Sequence, residues 1–156
     1  MYKKLIFIAI VLFTINACTK ETFDPGATMA VKGANEWWVN YYVDGEELAA
    51  NTKLLTYNTS ANNDSMWIDD LKNFYGLKAK AKLDSKALTF VTTDSYEEYF
   101  KITATITEGK IMKNVAHTTT GVVTDSIYFK VVFSDDPATT YEVKGSGRSM
   151  WSEDDF

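Results

Sequence analysis

The chain has 156 residues with 16 basic and 21 acidic side chains, which gives a net charge of −5. This balance argues against nucleic acid as a partner, because binding a phosphate backbone requires clustered Lys and Arg. It also argues against attachment to an anionic membrane through the protein surface. Aromatic residues make up 14% of the chain and there are only 2 prolines, a composition that favours strands.

The N-terminus has the pattern of an export signal. Lys3 and Lys4 precede an apolar run over residues 5–15, which is too short to span a bilayer as a helix. The single cysteine, Cys18, follows a small residue after this run, and the arrangement resembles the lipobox of bacterial lipoproteins. The resemblance implies a signal peptide over residues 1–17, cleavage before Cys18 and a diacylglycerol on its thiol. The alternatives are an ordinary cleaved signal with a free cysteine, or an N-terminal anchor helix.

The segment that begins with Cys18 is predicted to be a tether. Residues 18–35 contain Pro25 and no apolar periodicity, so we expect them to link the lipid anchor flexibly to a folded domain over residues 36–156. Because Lys3 and Lys4 leave with the signal, the mature chain keeps 14 basic and 21 acidic residues, a net charge of −7. A chain without a second cysteine forms no internal disulfide, so the domain depends on its hydrophobic core.

From Trp37 onward, short apolar and alternating runs predict strands. Turns are predicted at residues 44–45, 108–110 and 135–137, which contain Asp-Gly, Glu-Gly-Lys and Asp-Asp-Pro. The even spacing favours a single up-and-down antiparallel β-barrel of eight or nine strands, with a two-sheet β-sandwich as the alternative. The predicted strands cover residues 37–43, 53–58, 65–69, 77–83, 89–92, 100–107, 111–115, 126–133 and 140–145.

The strictly alternating runs also predict which side chains point into the barrel. Three of these positions are alanine, which indicates either taper against bulky neighbours or open volume for a small ligand. The inward positions are Leu77, Ala79, Ala81, Leu83, Phe100, Ile102, Ala104, Ile106, Ile127, Phe129, Val131 and Phe133. The larger inward side chains are predicted to pack around an apolar ligand, and they are Trp37, Tyr41, Met66, Phe100, Ile102 and Phe129.

Catalytic chemistry has two sets of candidates. His117 is the only histidine and could act as the base for a Ser or Thr nucleophile, although no Gly-x-Ser-x-Gly elbow is present. Asp69 and Asp70 are adjacent carboxylates of the kind that glycosidases use. The alternatives are a solvated loop for His117 and a solvated turn for the aspartates. No cofactor is predicted, and no metal site is predicted because the acidic pairs lack calcium-loop spacing.

Several short blocks in order along the chain resemble a family of Gram-negative bacterial lipoproteins labelled "lipid-binding putative hydrolase". The blocks are residues 33–39 (GANEWWV), 64–70 (DSMWIDD), 125–129 (DSIYF), 135–137 (DDP) and 141–155. The resemblance covers nearly all of the mature chain and implies a lipocalin-like β-barrel that binds lipid. It implies a hydrolase as well, but the sequence shows no nucleophile, base and orienting group to perform that reaction.

Three functional hypotheses remain from the sequence. The first is a monomeric outer-membrane lipoprotein, periplasmic or surface-exposed, that binds a small hydrophobic or lipid-like ligand in its barrel. The second is a hydrolase of lipid or glycan substrates that uses His117, or Asp69 and Asp70. The third is a structural or docking subunit of a surface complex that meets a protein partner through exposed Trp38 or Trp67.

Overall fold

The computed structural model describes residues 26–61 and 63–156, so the predicted signal peptide and Cys18 lie outside the described residues. The chain forms a closed barrel of antiparallel strands in which each strand pairs with the next and the last pairs with the first. The up-and-down barrel predicted from the strand spacing is therefore confirmed. No helix in the described part is long and apolar enough to cross a bilayer. The eight strands are β1 (Asn35–Val43), β2 (Glu46–Asn58), β3 (Ser65–Asp69), β4 (Lys78–Asp84), β5 (Thr89–Tyr96), β6 (Thr103–His117), β7 (Val123–Phe133) and β8 (Asp136–Gly147).

Strand β6 replaces two predicted strands. The turn predicted at residues 108–110 is wrong, because β6 continues through it without interruption. Glu108 adopts a left-handed φ of 55°, and the pairing with β7 shifts register at this point, which makes the feature a β-bulge. Gly109 allows β6 to pack closely on β5 here, because a Cβ at this position would collide with the backbone and ring of Phe90.

The barrel interior is filled largely by the side chains that the alternation places there. Ten of the twelve predicted inward positions are buried. The prediction is wrong for Phe100, which is 56% exposed, and Ile102 is only partly buried against the core. Both residues precede β6, in a loop where the Glu97 carboxylate accepts the N–H groups of Tyr99 and Phe100 at 2.7 and 2.6 Å. The alternation does not extend into this loop because the strand has not yet begun.

The N-terminal segment closes one end of the barrel. A single 3₁₀ turn at Val31–Gly33 follows Ala30, which is buried in the core. Gly33 lies directly against the side chains of Leu83 and Met66, where a Cβ would be 2.9 Å from Leu83 and 3.1 Å from Met66. The folded domain therefore begins before residue 36, and the last part of the predicted tether is packed onto the barrel.

Candidate functional site

The opposite end of the barrel is closed by the β3–β4 loop, residues 70–77. The Phe74 ring of this loop stacks on the Tyr41 ring, with centroids 4.2 Å apart and planes inclined by 25°. The adjoining Tyr75 ring stacks on Phe133 at 3.9 Å and 8°. Tyr141 lies 5.7 Å from the Phe74 ring and 5.4 Å from the Tyr75 ring. These five rings, here called the aromatic cover, separate the barrel interior from solvent at this end.

Polar contacts hold the β3–β4 loop at its two edges. The buried carboxylate of Asp70 accepts the backbone N–H groups of Lys72 and Gly76 at 2.8 and 2.9 Å. On the far side of the barrel mouth, the Tyr75 hydroxyl donates to Asp135 at 3.0 Å. Lys72 has a φ of 63°, a left-handed conformation that is uncommon for a residue with a side chain. The Asn73 side-chain amide also donates to the Lys53 carbonyl at 3.0 Å, so hydrogen bonds and ring packing together hold the loop.

Four of the predicted ligand-binding residues meet in the interior, where Trp37, Tyr41, Met66 and Phe129 are all buried. The Trp37 indole N–H is paired, since it donates to the Thr56 hydroxyl at 2.8 Å. The Tyr41 hydroxyl is buried and has no hydrogen-bond partner. Burial raises the pKa of Tyr41 well above its ordinary value, and the charge of a nearby carboxylate adds to this shift. The hydroxyl therefore remains protonated and able to donate.

All of the buried charged groups in the described part of the chain are carboxylates. They are Asp69, Asp70, Glu97 and Asp154, and none of the described Lys, Arg or His side chains is buried. Transferring an anion into such an interior is unfavourable, because it would lose water without gaining a counter-ion. The interior therefore suits apolar and uncharged groups.

The Asp69 carboxylate is fully occupied by neighbouring groups. It accepts the hydroxyls of Tyr99 and Tyr57 at 2.7 and 2.9 Å and the Leu71 N–H at 2.9 Å, and it pairs with the Lys78 ammonium at 3.0 Å. Burial acts to raise the pKa of Asp69, but these hydrogen bonds outweigh it and the net shift is downward. Asp69 is therefore an ionised group that ties β2, β3 and β4 together.

The pKa of Asp70 is shifted upward, in the opposite direction to that of Asp69. Burial raises its pKa, the charge of Asp69 adds to the shift, and backbone hydrogen bonds offset only part of it. Two carboxyl groups with separated pKa values occur in acid–base pairs. Here, however, both Asp70 oxygens accept loop N–H groups. The observed contacts of Asp69 and Asp70 therefore hold the β3–β4 loop in place.

His117 lies at the end of β6, near the barrel end opposite the two aspartates. It borders an outer cleft of about 400 Å³ that also contains Ser126 and Asp154. The Ser126 hydroxyl donates to the Gly145 carbonyl at 3.0 Å, and Asp154 accepts hydrogen bonds from Thr120 and Ser149. Within residues 26–61 and 63–156, no hydrogen bond joins the His117 ring to a hydroxyl or carboxylate, and no cluster of His, Cys, Asp or Glu is arranged to hold a metal. Among the described residues, His117 therefore shares a cleft with Ser126 and Asp154 but forms no hydrogen-bonded nucleophile–base pair with them.

The two tryptophans proposed for partner docking are half-buried on the outer face of the barrel. The Trp38 ring packs edge-to-face with Phe156, with centroids 5.7 Å apart. The Trp67 ring is covered by the Lys80 ammonium, 4.7 Å from its centroid. Trp38 therefore belongs to a partly exposed aromatic pair, since Phe156 is 64% exposed, whereas Trp67 lies beneath a lysine.

Three residues that complete the aromatic cover were not predicted from the sequence, and they are Phe74, Tyr75 and Tyr141. Phe74 and Tyr75 fall between two predicted strands, so the alternation rule does not apply to them. Two adjacent aromatic residues in such a connection are the available signal, because large apolar side chains in a loop usually cover other apolar groups.

Comparison with known proteins agrees with this geometry. No curated protein matches the chain significantly. The sequence model of one family, described as "Lipid-binding putative hydrolase", matches residues 22–152. This match spans the 3₁₀ turn and all eight strands, and it includes the loop that carries the aromatic cover. The chain therefore belongs to the family described as lipid-binding putative hydrolases.

Proposed function

We propose that the barrel binds a small hydrophobic, lipid-like ligand in its interior, which it reaches from the end closed by the β3–β4 loop. The observation that carries the proposal is the unpaired, buried hydroxyl of Tyr41, a residue whose ring stacks on Phe74 of the loop that closes this end. The membership of a lipid-binding family supports the same conclusion.

The energetics of opening the aromatic cover are compatible with ligand binding. A stacked aromatic pair contributes about 1 kcal/mol beyond the area that it buries, and moving the loop breaks the stacks on Tyr41 and Phe133. Burying a methylene group contributes about 0.8 kcal/mol. A ligand tail that buries about three methylenes therefore offsets the lost stacking of both rings. The tail would take the volume that Phe74 now fills above Tyr41.

Ligand capture is tested by extracting and identifying lipids from the purified full-length chain, and by titrating that chain with a fluorescent fatty-acyl probe. Bound lipid, or saturable binding that Phe74→Trp reduces by filling the cover, supports the proposal. Tyr128→Trp is the control, because it adds the same ring on the outer face of β7, beneath the Lys110 ammonium and away from the β3–β4 loop. Absence of both co-purified lipid and saturable binding would refute the proposal.

We further propose that the chain is an outer-membrane lipoprotein held by a diacylglycerol on Cys18. The basic and apolar N-terminal pattern that ends at the single cysteine supports this. Metabolic labelling with a fatty acid should mark the wild-type chain and leave Cys18→Ala unlabelled and uncleaved. Equal labelling of the two chains would exclude the anchor.

A further inference from the structure

We propose that the polar group of the ligand is an uncharged hydrogen-bond acceptor, such as an ester or alcohol oxygen, and that Tyr41 donates to it inside the barrel. This inference rests on the ligand-binding function proposed above. It makes Tyr41 the residue that selects among lipids with the same tail.

Tyr41 lacks a hydrogen-bond acceptor in the closed barrel. Its hydroxyl is buried and unpaired, which is unfavourable in an apolar interior. The nearby Asp70 accepts the N–H groups of Lys72 and Gly76, and no hydrogen bond joins its carboxylate to the Tyr41 hydroxyl. The other buried side-chain donor among the predicted ligand residues, the Trp37 indole, already bonds to Thr56. A ligand acceptor is the missing partner.

The charges of the barrel restrict the polar group that the ligand can carry. The buried ionisable groups of the described chain are all acidic, so the carboxylate of a fatty acid or a phosphate would enter without a counter-ion and close to Asp70. An ammonium group has no lone pair with which to accept a hydrogen bond from the Tyr41 hydroxyl. An uncharged acceptor suffers neither penalty. The raised pKa of Tyr41 keeps its proton available for such a group.

The experiment compares ligands with one tail and different polar groups. Methyl palmitate, palmitate and hexadecane compete for a fluorescent acyl probe on the full-length chain at pH 8, where palmitate is ionised. We expect methyl palmitate to compete at least about tenfold better than palmitate. Tyr41→Phe should weaken methyl palmitate by about fivefold to tenfold and leave hexadecane unchanged, because only the hydroxyl is removed. Tyr42→Phe is the matched control, since its hydroxyl donates to Glu47 at 2.8 Å on the outer face of the barrel.

The outcomes separate the two proposals. Palmitate that competes as well as methyl palmitate, or an ester affinity that does not change in Tyr41→Phe, overturns the choice of an uncharged acceptor and leaves ligand binding standing. Failure of the probe and all three competitors to bind overturns both. Equal losses for methyl palmitate and hexadecane in Tyr41→Phe would show that the ring position has changed, and would contradict a hydrogen-bonding role.

Discussion

The rings of Tyr41 and Phe74 stack at 4.2 Å, yet the hydroxyl of Tyr41 has no partner. At the other end of the barrel, by contrast, Trp37 is packed and its N–H is also paired with Thr56. The two ends are therefore closed in different ways. A 3₁₀ turn closes one end, where the buried indole N–H is paired, and the β3–β4 loop closes the other over a buried hydroxyl that is not.

Removing the Tyr41 hydroxyl should not destabilise the unliganded protein. Tyr41→Phe deletes a buried group that makes no hydrogen bond, so we expect the free energy of unfolding to stay the same or rise by about 1 kcal/mol. Tyr141→Phe should lower it by about 1 kcal/mol, because that hydroxyl donates to Asp136 at 2.9 Å. Urea denaturation of the two variants measures the difference. A loss in Tyr41→Phe as large as that in Tyr141→Phe would show that the Tyr41 hydroxyl is paired.

Removing the Phe74 ring should destabilise the barrel and open its end. The ring is partly buried and stacked, so we expect Phe74→Ala to lower the free energy of unfolding by about 2 kcal/mol, less than for a fully buried Phe. Association of an acyl probe should become faster, because the β3–β4 loop has lost its main contact with the interior. Trp151→Ala removes a large ring that is 62% exposed, and should change stability by less than about 0.5 kcal/mol. Unchanged probe kinetics in Phe74→Ala would place the route to the interior elsewhere.

The sequence predicted the barrel well because strand alternation is a local property that burial enforces along each strand. Ala79, Phe129 and Val131 illustrate this, since each lies inside as its neighbours in the pattern require. The aromatic cover was not predictable in the same way, because the position of Phe74 depends on where a loop folds back over the barrel mouth. The exposure of Phe100 has a similar cause, since a buried Glu97 sets the path of the chain before β6 begins.

Asp69 should give the protein an acid-sensitive contact. Its pKa is lowered in the folded state, so its contribution to stability is present above its ordinary value of 3.8 and is lost as the pH falls through the lower, folded-state value. Asp69→Asn leaves Lys78 without its ion-pair partner, and should cost about 2–4 kcal/mol at pH 7. The difference from wild type should shrink as the pH falls below 3.8 and the wild-type carboxyl becomes protonated as well.

The matched control for Asp69 is Asp64. Its ion pair with Lys82 is 3.5 Å long and its side chain is 51% exposed, so Asp64→Asn should cost less than about 1 kcal/mol at any pH. Urea denaturation between pH 2 and pH 7 compares the two variants. A pH-independent loss in Asp69→Asn would mean that packing, and not the charge, accounts for its effect.

The bulge at Glu108 and Gly109 can be tested against the turn that the sequence suggested. If these residues formed an exposed turn, alanine at position 109 would be tolerated. In the bulge, a Cβ on Gly109 would collide with the Phe90 backbone and ring, so Gly109→Ala should lower the free energy of unfolding by about 3 kcal/mol, the upper end for overpacking. Gly121→Ala is the control, because Gly121 has open space around it and only the strain of a φ of 84°, which should cost about 1 kcal/mol. A loss in Gly109→Ala no larger than that in Gly121→Ala would contradict close packing between β5 and β6.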